Sequence, residues 1–560
     1  ALRGHSDSGP LTMEKPEKKD GKLRALLRFR GQTDETVRTY CKTSSRNATY
    51  ISPLIQNEII EICGNLIQKS LVNNINESPC FAILGDETLD VSGKEQFSLC
   101  VRYTSNNTSG QLVLKEDFLC FLPIVDMSAE GVSQTILELC DKLGLDMKKL
   151  VGQGYDGAST FSGHINGVHK KVQEKFPKAL YVHCAAHRLN LVLKDVLSVP
   201  EVRNCFGVVG DIVNLFRNNA QAHELLKEKI KSLVPDSKKT RLLGLCETRF
   251  VERQESVTTF LELFSAIVPA LQDITISRRT VSSTASSLLA AVEKSTFIVA
   301  LVVADEVFNM TVPLSKYLQK PDISLISALT HVDNVTSSLT NMRADNQTFD
   351  NIFERAEKIS QEVHEEPIKL PRLCSKQTSR TNPPFATKNE YFRRALFLPC
   401  LDSLLTSLTN RFTNNREILE AFEILLPKNT NLKEVSKLEA LRPYYKEQTS
   451  DSEIRAEYHI WSQKWENTSQ EVPRSILSII DNCDKNFFPN IQYLLCVLAT
   501  LPVSTCEVER SFSTLKRIKN YLRNKMDIDR LNGLALMSIH YPFCFTANDV
   551  LEELAKKTRQ

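Results

Sequence analysis

The chain has 560 residues, enough for two to four domains, and its 42% hydrophobic and 24% charged residues exclude a disordered or fibrous protein. Its formal net charge of +3 is too small to indicate a nucleic-acid binder by itself. No apolar run reaches the roughly 18 residues that span a bilayer, and no signal peptide opens the sequence. The 15 cysteines include no C-x-x-C pair, which favours reduced thiols and a cytosolic or nuclear protein over a disulfide framework.

Residues 1 to 75 are predicted to form a polar lead-in followed by a helical region. Ser52 at a cap and Pro53 just inside it predict the start of one of these helices. Three strands are predicted next, over about residues 80 to 86, 96 to 104 and 116 to 124. Because the connections between them are short, these strands should form an antiparallel meander.

Helices and strands alternate in the stretch that follows. Ser128 and Gly144 predict the two ends of a helix, and a short strand from Leu150 ends before Asp156. A helix over about 168 to 176, a strand over 179 to 183 and a helix over 188 to 197 complete the pattern. This order is typical of an α/β ribonuclease-H-like mixed sheet, and we predict that its first part occupies residues 76 to 200.

The middle of the chain shows a different pattern. Over residues 201 to 490 the apolar residues recur at helical spacing and strand signals fade, which predicts a large all-helical insertion domain that interrupts the core. Residues 491 to 560 are predicted to supply the last part of the ribonuclease-H-like core, with a helix beginning at Ser504.

Three acidic residues stand at the ends of predicted elements. Asp86 ends an apolar strand, Asp156 ends a second strand, and Glu509 lies near the start of the late helix. Each has an ordinary alternative role, in a turn or as a favourable charge at a helix N-terminus, and Glu507 is assigned to a capping box with Ser504. Together the three carboxylates predict a site for two Mg²⁺ or Mn²⁺ ions of the kind that supports phosphodiester cleavage.

Positive charge is concentrated in the same late helix. Between Arg510 and Met526 there are six basic residues and no acidic one: Arg510, Lys516, Arg517, Lys519, Arg523 and Lys525. The cluster indicates a phosphate-binding surface, and a solvated helix face is the alternative.

Five motifs in order carry a resemblance to a known family: Gly85 to Gln96, Gly154 to Ala158, Cys184 to Leu191, Thr248 to Phe250, and Glu509 to Ser513. In these motifs the chain resembles the hAT superfamily of DNA transposases from about residue 24 onward. It is most similar to the branch that includes the zinc-finger MYM-type and THAP-type transposase-derived proteins.

The resemblance implies a cut-and-paste transposase with a ribonuclease-H-like core. It implies that Asp86, Asp156 and Glu509 are the catalytic and Mg²⁺- or Mn²⁺-binding set. It also implies a nuclear homodimer or higher oligomer that acts on double-stranded DNA, both at transposon ends and at the target. The segment that resembles the family's dimerisation region contains Leu531, Leu534, Leu536 and Ile539.

The same resemblance implies specific contacts to DNA. His187, Arg188 and Arg249 become candidate contacts near the scissile phosphate, alongside the basic residues Arg510, Lys516, Arg517 and Lys519. Excision in this family leaves a hairpin on the flanking DNA, and an aromatic residue stabilises the flipped base. That residue is Phe250 here, where the family usually has Trp, so the stacking surface is smaller. Cys184 and His187 alone are too few ligands for a structural zinc site.

Two functions compete for this sequence. The first is an active transposase, favoured by the presence of all three carboxylates. The second is a domesticated descendant that binds DNA or protein as a dimer without catalysis. The family's N-terminal zinc-binding domain has no match, so we expect it either to precede Ala1 or to have been lost. A ribonuclease acting on RNA–DNA hybrids is a third alternative, disfavoured by the large helical segment.

Overall fold

The computed structural model describes the chain except for a set of short segments. These are residues 1–10, 15, 18–19, 44–49, 164–165, 246–249, 278–280, 373–382, 414, 447–448, 467–471, 474 and 557–560, and the side chains of 250–253 and 522. The chain divides into two compact units. The first, here the sheet unit, comprises Ala1–Leu180 and Glu507–Gln560, and the second, the helical unit, comprises Tyr181–Cys506.

A five-stranded mixed sheet organises the sheet unit. Its strands are β1 (Phe81–Leu89), β2 (Glu95–Asn106), β3 (Leu112–Pro123), β4 (Leu150–Tyr155) and β5 (Leu180–His183). The spatial order is β3-β2-β1-β4-β5, with β1–β2 and β2–β3 antiparallel and β1–β4 parallel. The antiparallel meander and the later strand reached by a crossover are therefore confirmed. β5 begins at the last residue of the unit.

The sheet is central because its strands are apolar on both faces. Phe81, Ala82, Ile83 and Leu84 of β1 are fully buried, as a continuous apolar run predicts for an interior strand. Six helices precede or connect the strands: α1 (Lys22–Thr33), α2 (Glu35–Thr43), α3 (Pro53–Glu77), α4 (Ala129–Leu143), α5 (Ser159–Ser162) and α6 (Val168–Lys175). Ser52 caps α3, Ser128 caps α4, and Gly144 ends α4 in the left-handed conformation, as their residue types predict.

The described part of the helical unit contains helices and no strand other than the end of β5. These helices are α7 (Ala185–Val196), α8 (Pro200–Asn218), α9 (Ala220–Leu233), α10 (Phe250–Glu262), α11 (Phe264–Ile276), α12 (Ser282–Val292), α13 (Ser295–Asn309), α14 (Val312–Leu318), α15 (Leu325–Ala344), α16 (Asn346–His364), α17 (Lys388–Phe392), α18 (Leu398–Phe412), α19 (Arg416–Glu423), α20 (Asp451–Glu466), α21 (Ile476–Asp481) and α22 (Pro489–Thr500). That this segment is an insertion domain with the predicted boundaries stays a prediction.

Among the described residues, no single helix is long and apolar enough to cross a membrane. Two bent pairs, α10 with α11 and α12 with α13, pass on length and composition alone. In α13, eleven apolar or acidic side chains are buried, as in the central helix of a helical core.

Three helices return to the sheet unit at the end of the chain: α23 (Cys506–Ile518), α24 (Ile528–Ile539) and α25 (Ala547–Lys556). α24 packs closely on α3, because Gly64 and Gly533 face each other where the helices meet. A Cβ atom on Gly64 would lie 2.7 Å from the Gly533 Cα, so neither position has room for a side chain. This contact holds the C-terminal helices on the sheet unit.

Candidate functional site

Strands β1 and β4 place Asp86 and Asp156 side by side. The two strands run parallel, and Leu84 of β1 lies opposite Gly154 of β4 at the end of their pairing. Asp86 lies two residues further along β1, on the same face as Leu84 because strand side chains alternate, and Asp156 is the first residue after β4, two residues beyond Gly154. The Asp86 Oδ1 accepts a hydrogen bond from the Glu87 N–H at 2.8 Å, and the Asp156 Oδ1 accepts one from the Ala158 N–H at 3.1 Å.

Helix α23 brings Glu509 to the same face of the sheet. Ser98 of β2 lies opposite Asp86, and its hydroxyl oxygen is 2.7 Å from the hydroxyl oxygen of Ser511 on α23. Phe512 stacks on Phe121 of β3 with ring centroids 6.5 Å apart. Since Glu509 lies two residues before Ser511, these contacts hold its part of the helix above β1 and β2.

Charge confirms that the three carboxylates are near one another. Burial and the negative charges of Asp156 and Glu509 together raise the pKa of Asp86 to about 8, against the hydrogen bond from the Glu87 amide. A carboxyl group of this kind is partly protonated at neutral pH. The fold therefore gathers Asp86, Asp156 and Glu509 into one electrostatic cluster, here called the acidic cluster.

Glu87 is a further acidic neighbour that our sequence analysis missed. Its pKa is raised by burial and then by the charges of Asp156 and Glu95, and its buried Oε2 has no hydrogen-bond partner. Its position directly after Asp86 was the available signal, but turn chemistry explained it equally well. The preceding Gly85 is required for packing, since a Cβ atom there would meet the Phe97 ring at 2.1 Å.

The fit of the acidic cluster to Mg²⁺ or Mn²⁺ is incomplete. Its donors are carboxylate oxygens, the ligand type that these ions prefer, and the unpartnered Glu87 oxygen is available beside them. Nevertheless, within the residues that the structure describes, no three His, Cys, Asp or Glu side chains are arranged to hold a metal ion. The fold thus brings the carboxylates close together, but the described residues do not form a complete set of metal ligands.

Lys519, predicted to contact DNA, has a structural role instead. Its ammonium nitrogen donates to the Asp90 Oδ2 at 2.5 Å, and both side chains are almost fully buried. Asp90 also accepts hydrogen bonds from Ser92 and Gln96. Burial alone would raise the pKa of Asp90, but the bonds from Lys519 and Ser92 hold it well below its usual range. The prediction for Lys519 is wrong because a buried, paired ammonium group is not available to a phosphate.

The start of α23 also differs from the predicted capping box. The helix begins at Cys506, so Glu507 is its second residue rather than the third residue after an N-cap. The Glu507 carboxylate accepts a hydrogen bond from the Arg510 guanidinium at 2.5 Å. Arg510 is therefore paired within its own helix, with about half of its side chain exposed.

His187 and Arg188 lie in α7, in the helical unit. The His187 ring is 5.4 Å from that of His183, and burial followed by the Arg188 charge lowers the pKa of His183 to about 3. Arg188 is 4% exposed, donates to the Arg411 carbonyl at 3.1 Å and lies over the Phe412 ring. The prediction that Arg188 binds phosphate is wrong, because the helical unit already surrounds its guanidinium group.

The remaining predicted DNA contacts divide into two groups. Lys516 and Arg517 are exposed on α23, where the Arg517 Nη2 donates to the Thr514 hydroxyl at 2.8 Å. Arg249 lies outside the described residues, and Phe250 is described only as the first backbone position of α10. Their predicted roles stay predictions.

The predicted dimerisation residues lie on α24 and do not share one surface. Leu531 and Leu536 are 1% and 2% exposed, so they belong to the core of the sheet unit. Leu534 and Ile539 are half-buried. Apolar residues at helical spacing serve an internal core as well as a dimer contact, so the predicted dimer role of these residues stays a prediction.

Comparison with known proteins gives matches at both ends of the chain. A family model described as "ZMYM1/FAM200, RNase-like domain" matches residues 1–167, which include Asp86 and Asp156. A second, described as "hAT family C-terminal dimerisation region", matches residues 455–542, which include Glu509.

Two curated relatives are similar over almost the whole chain. The human protein named "52 kDa repressor of the inhibitor of the protein kinase" is 26% identical over 555 residues, covering 96% of this chain and 72% of its own length. The protein of the same name from Mus musculus is 26% identical over 558 residues, with the same coverage. An RNase-like domain model thus matches around two of the clustered acids, and a model of the hAT C-terminal dimerisation region matches around the third.

Proposed function

We propose that this protein is a transposase-derived, DNA-binding homodimer of the repressor type, which acts in the nucleus and does not cut DNA. The observation that carries the proposal is the similarity to a protein named as a repressor over 96% of the chain. That similarity extends across the acidic cluster and the matched dimerisation region.

Homodimer formation is supported by the matched dimerisation region at residues 455–542. Within this region Ile460 and Phe487 of the helical unit are 46% and 59% exposed, and Leu534 and Ile539 of the sheet unit are half-buried. Exposed apolar side chains in a region of this type are suited to contact a second copy. Binding to DNA is supported by the exposed Lys516 and Arg517 on α23.

A tethered reporter assay tests the regulatory part of this proposal. The full chain, fused to an unrelated DNA-binding domain, should lower transcription of a reporter that carries the matching site. Light scattering of the purified chain should give twice the monomer mass, and a labelled duplex should bind in a salt-dependent way. A monomer that neither represses nor binds duplex DNA would contradict the proposal.

The acidic cluster supports a second candidate, a metal-dependent cut-and-paste transposase. The supporting observation is that, besides burial, the charges of both Asp156 and Glu509 raise the pKa of Asp86, which requires these two carboxylates to lie close to it. A protein that only binds DNA or another protein has no evident need for three neighbouring carboxylates, because like charges repel. In this function DNA strands are cleaved, a hairpin forms on the flanking DNA, and the 3′-hydroxyl attacks target DNA.

Mg²⁺ or Mn²⁺ would be held by Asp86, Asp156 and Glu509, and would supply the positive charge that lowers the pKa of bound water. Titration calorimetry with Mn²⁺ tests this directly. Binding that is lost in Asp156→Asn and kept in Asp322→Asn, which changes an exposed acid of the helical unit, would support the transposase. Identical heats for both variants would exclude a metal site in the cluster.

A further inference from the structure

The buried Lys519–Asp90 ion pair fixes two exposed segments beside each other in the sheet unit. Asp90 is the first residue after β1, and the Lys94 N–H donates to the same carboxylate at 3.3 Å, closing the β1–β2 turn. Lys519 follows the last residue of α23 and precedes a short turn at Tyr521–Arg523. The turn after β1 and the turn after α23 are therefore anchored to one carboxylate group.

Exposed cations line both segments. Lys94 lies in the first, and Lys516, Arg517, Arg523 and Lys525 lie in or beside the second. Within the part of the chain that the structure describes, no carboxylate forms an ion pair with any of these five side chains. Cations left without acidic partners on neighbouring turns produce a local positive potential that the net charge of +3 conceals.

An aromatic residue lies between these cations in the sequence, after Arg517 and before Arg523. Tyr521 is 88% exposed, which leaves almost all of its ring in water two residues after Lys519. Val91, in the facing turn, is 42% exposed. An exposed aromatic ring surrounded by cations is the arrangement with which proteins hold unpaired nucleotides, since the cations contact phosphates while the ring stacks on a base.

The position of this surface relates it to the acidic cluster. Asp86 and Asp90 are four residues apart along β1 and the turn that follows, so about 13 Å separates their backbones at the usual strand rise. That distance equals the rise of about four nucleotides of a DNA strand. A strand that passes Asp90 would therefore need about four nucleotides to reach the cluster.

We propose that Tyr521, together with Lys94, Lys516, Arg517, Arg523 and Lys525, forms a binding surface for single-stranded DNA, here called the Tyr521 surface. The proposal rests on the DNA-binding function proposed above and adds the form of DNA, because stacking on Tyr521 requires a base that has left the duplex. The ring supplies a stacking platform, and the five cations contact the phosphates on either side of it.

Fluorescence anisotropy of the full chain with a labelled oligothymidine of about twenty nucleotides tests the ring. Loss of one base–aromatic contact should weaken binding of Tyr521→Ala by about 5- to 150-fold, and Tyr521→Phe should bind within about twofold of the unaltered protein. The matched control is Tyr541→Ala, which removes a tyrosine of the sheet unit that is 86% exposed. It should have no effect.

A charge variant tests the cations independently. Lys516→Gln combined with Arg517→Gln should reduce the slope of log affinity against log salt by about 1.4, corresponding to two lost single-strand phosphate contacts. The control combines Lys148→Gln with Lys231→Gln, two exposed lysines elsewhere, and should leave the slope unchanged.

Several results would overturn the inference. Equal binding by the Tyr521→Ala and Tyr541→Ala variants would reject the stacking platform, even if the charge variant were weak. Binding to a duplex of the same length but not to oligothymidine would also reject it, while leaving the DNA-binding function standing. Failure to bind either DNA would reject the proposed function itself. Tyr521-dependent binding to phosphatidylserine vesicles without binding to oligothymidine would assign the surface to a membrane instead.

Discussion

The acidic cluster destabilises the charged form of Asp86. Its charged form is disfavoured by burial and by two neighbouring carboxylates, so its pKa rises from the ordinary 3.8 to about 8. An acid with a raised pKa in the folded state binds its proton over a range in which the unfolded chain has lost it. The penalty from Asp86 is therefore absent below about pH 4 and grows as the pH rises toward 8.

We expect Asp86→Asn to remove this penalty. In a buffer that contains a chelator, urea unfolding at pH 8 should give the variant a free energy of unfolding roughly 2 to 5 kcal/mol higher than that of the unaltered protein. At pH 4 the two free energies should be nearly equal. Asp322→Asn, which changes an exposed acid, is the control and should follow the unaltered protein at both values. A constant difference at all pH values would show that Asp86 is not crowded by charge.

Gly85 shows how packing constrains the residue next to the cluster. An added methyl group would overlap the ring of Phe97, which is fully buried and stacks on Phe161 with centroids 6.2 Å apart. Gly85→Ala should therefore lower stability by about 1 to 3 kcal/mol, measured by thermal or urea unfolding. Gly207→Ala is the control, because nothing lies within 4 Å of its Cβ position inside α8, and alanine should raise helix stability there. Equal effects at both glycines would argue against the packing explanation.

At the scale of elements, helix α23 determines whether Glu509 reaches the acidic cluster. Two contacts fix it on the sheet unit: the Ser98–Ser511 hydroxyl pair and the buried Lys519–Asp90 pair. The first lies two residues from Glu509 and the second lies at the other end of the helix. The helix is therefore located by polar bonds at both ends, with Phe512 packed on Phe121 between them.

Lys519→Met should leave the buried Asp90 carboxylate without its cation and cost about 3 kcal/mol of folding stability near neutral pH. Adding Asp90→Asn should recover part of the loss, which a double-mutant cycle measures. Because the pKa of Asp90 is lowered in the folded protein, its contribution is present above about pH 4 and declines at lower pH. The single variant should thus approach the unaltered protein in acid, and a pH-independent loss would contradict the ion-pair explanation.

Local signals in the sequence predicted the elements that the structure contains. The ends of α3 and α4 are set by residues within one helical turn of each end: Ser52 and Pro53 for α3, and Ser128 and Gly144 for α4. The apolar run from Phe81 to Leu84 likewise indicates a buried strand, whatever elements pack against it. The same local patterns correctly placed Asp156 directly after a strand, but the predicted strand end at Asp86 is wrong, because pairing with β2 continues along β1 to Leu89.

Long-range pairing could not be predicted in this way. Lys519 and Asp90 are 429 positions apart, and the burial of Arg188 depends on Arg411 and Phe412 far along the chain. Sequence reasoning assigns exposed roles to charged residues because most of them are exposed. Likewise, Leu531 and Leu536 have the spacing of a dimer contact, but α3 covers that face of α24. The sequence of α24 alone does not show which element packs against it.

At the scale of the whole molecule, the chain combines features of two functions. The acidic cluster, the mixed sheet and the matched RNase-like and hAT dimerisation regions are the features on which the transposase candidate rests. The regulatory function proposed above draws on the similarity to a protein named as a repressor. The two functions share DNA binding and a dimer, and they differ only in strand cleavage.

The most direct test of the central claim is therefore a cleavage assay. The full chain is incubated with labelled DNA in the presence of Mg²⁺ or Mn²⁺, and the products are resolved on a denaturing gel that separates nicked, hairpin and intact strands. We expect DNA to be bound and to remain intact with either metal, equally for the unaltered protein and for Glu509→Gln. Nicks or hairpins that appear with the unaltered protein and vanish with Glu509→Gln would contradict the account and establish the protein as an active transposase.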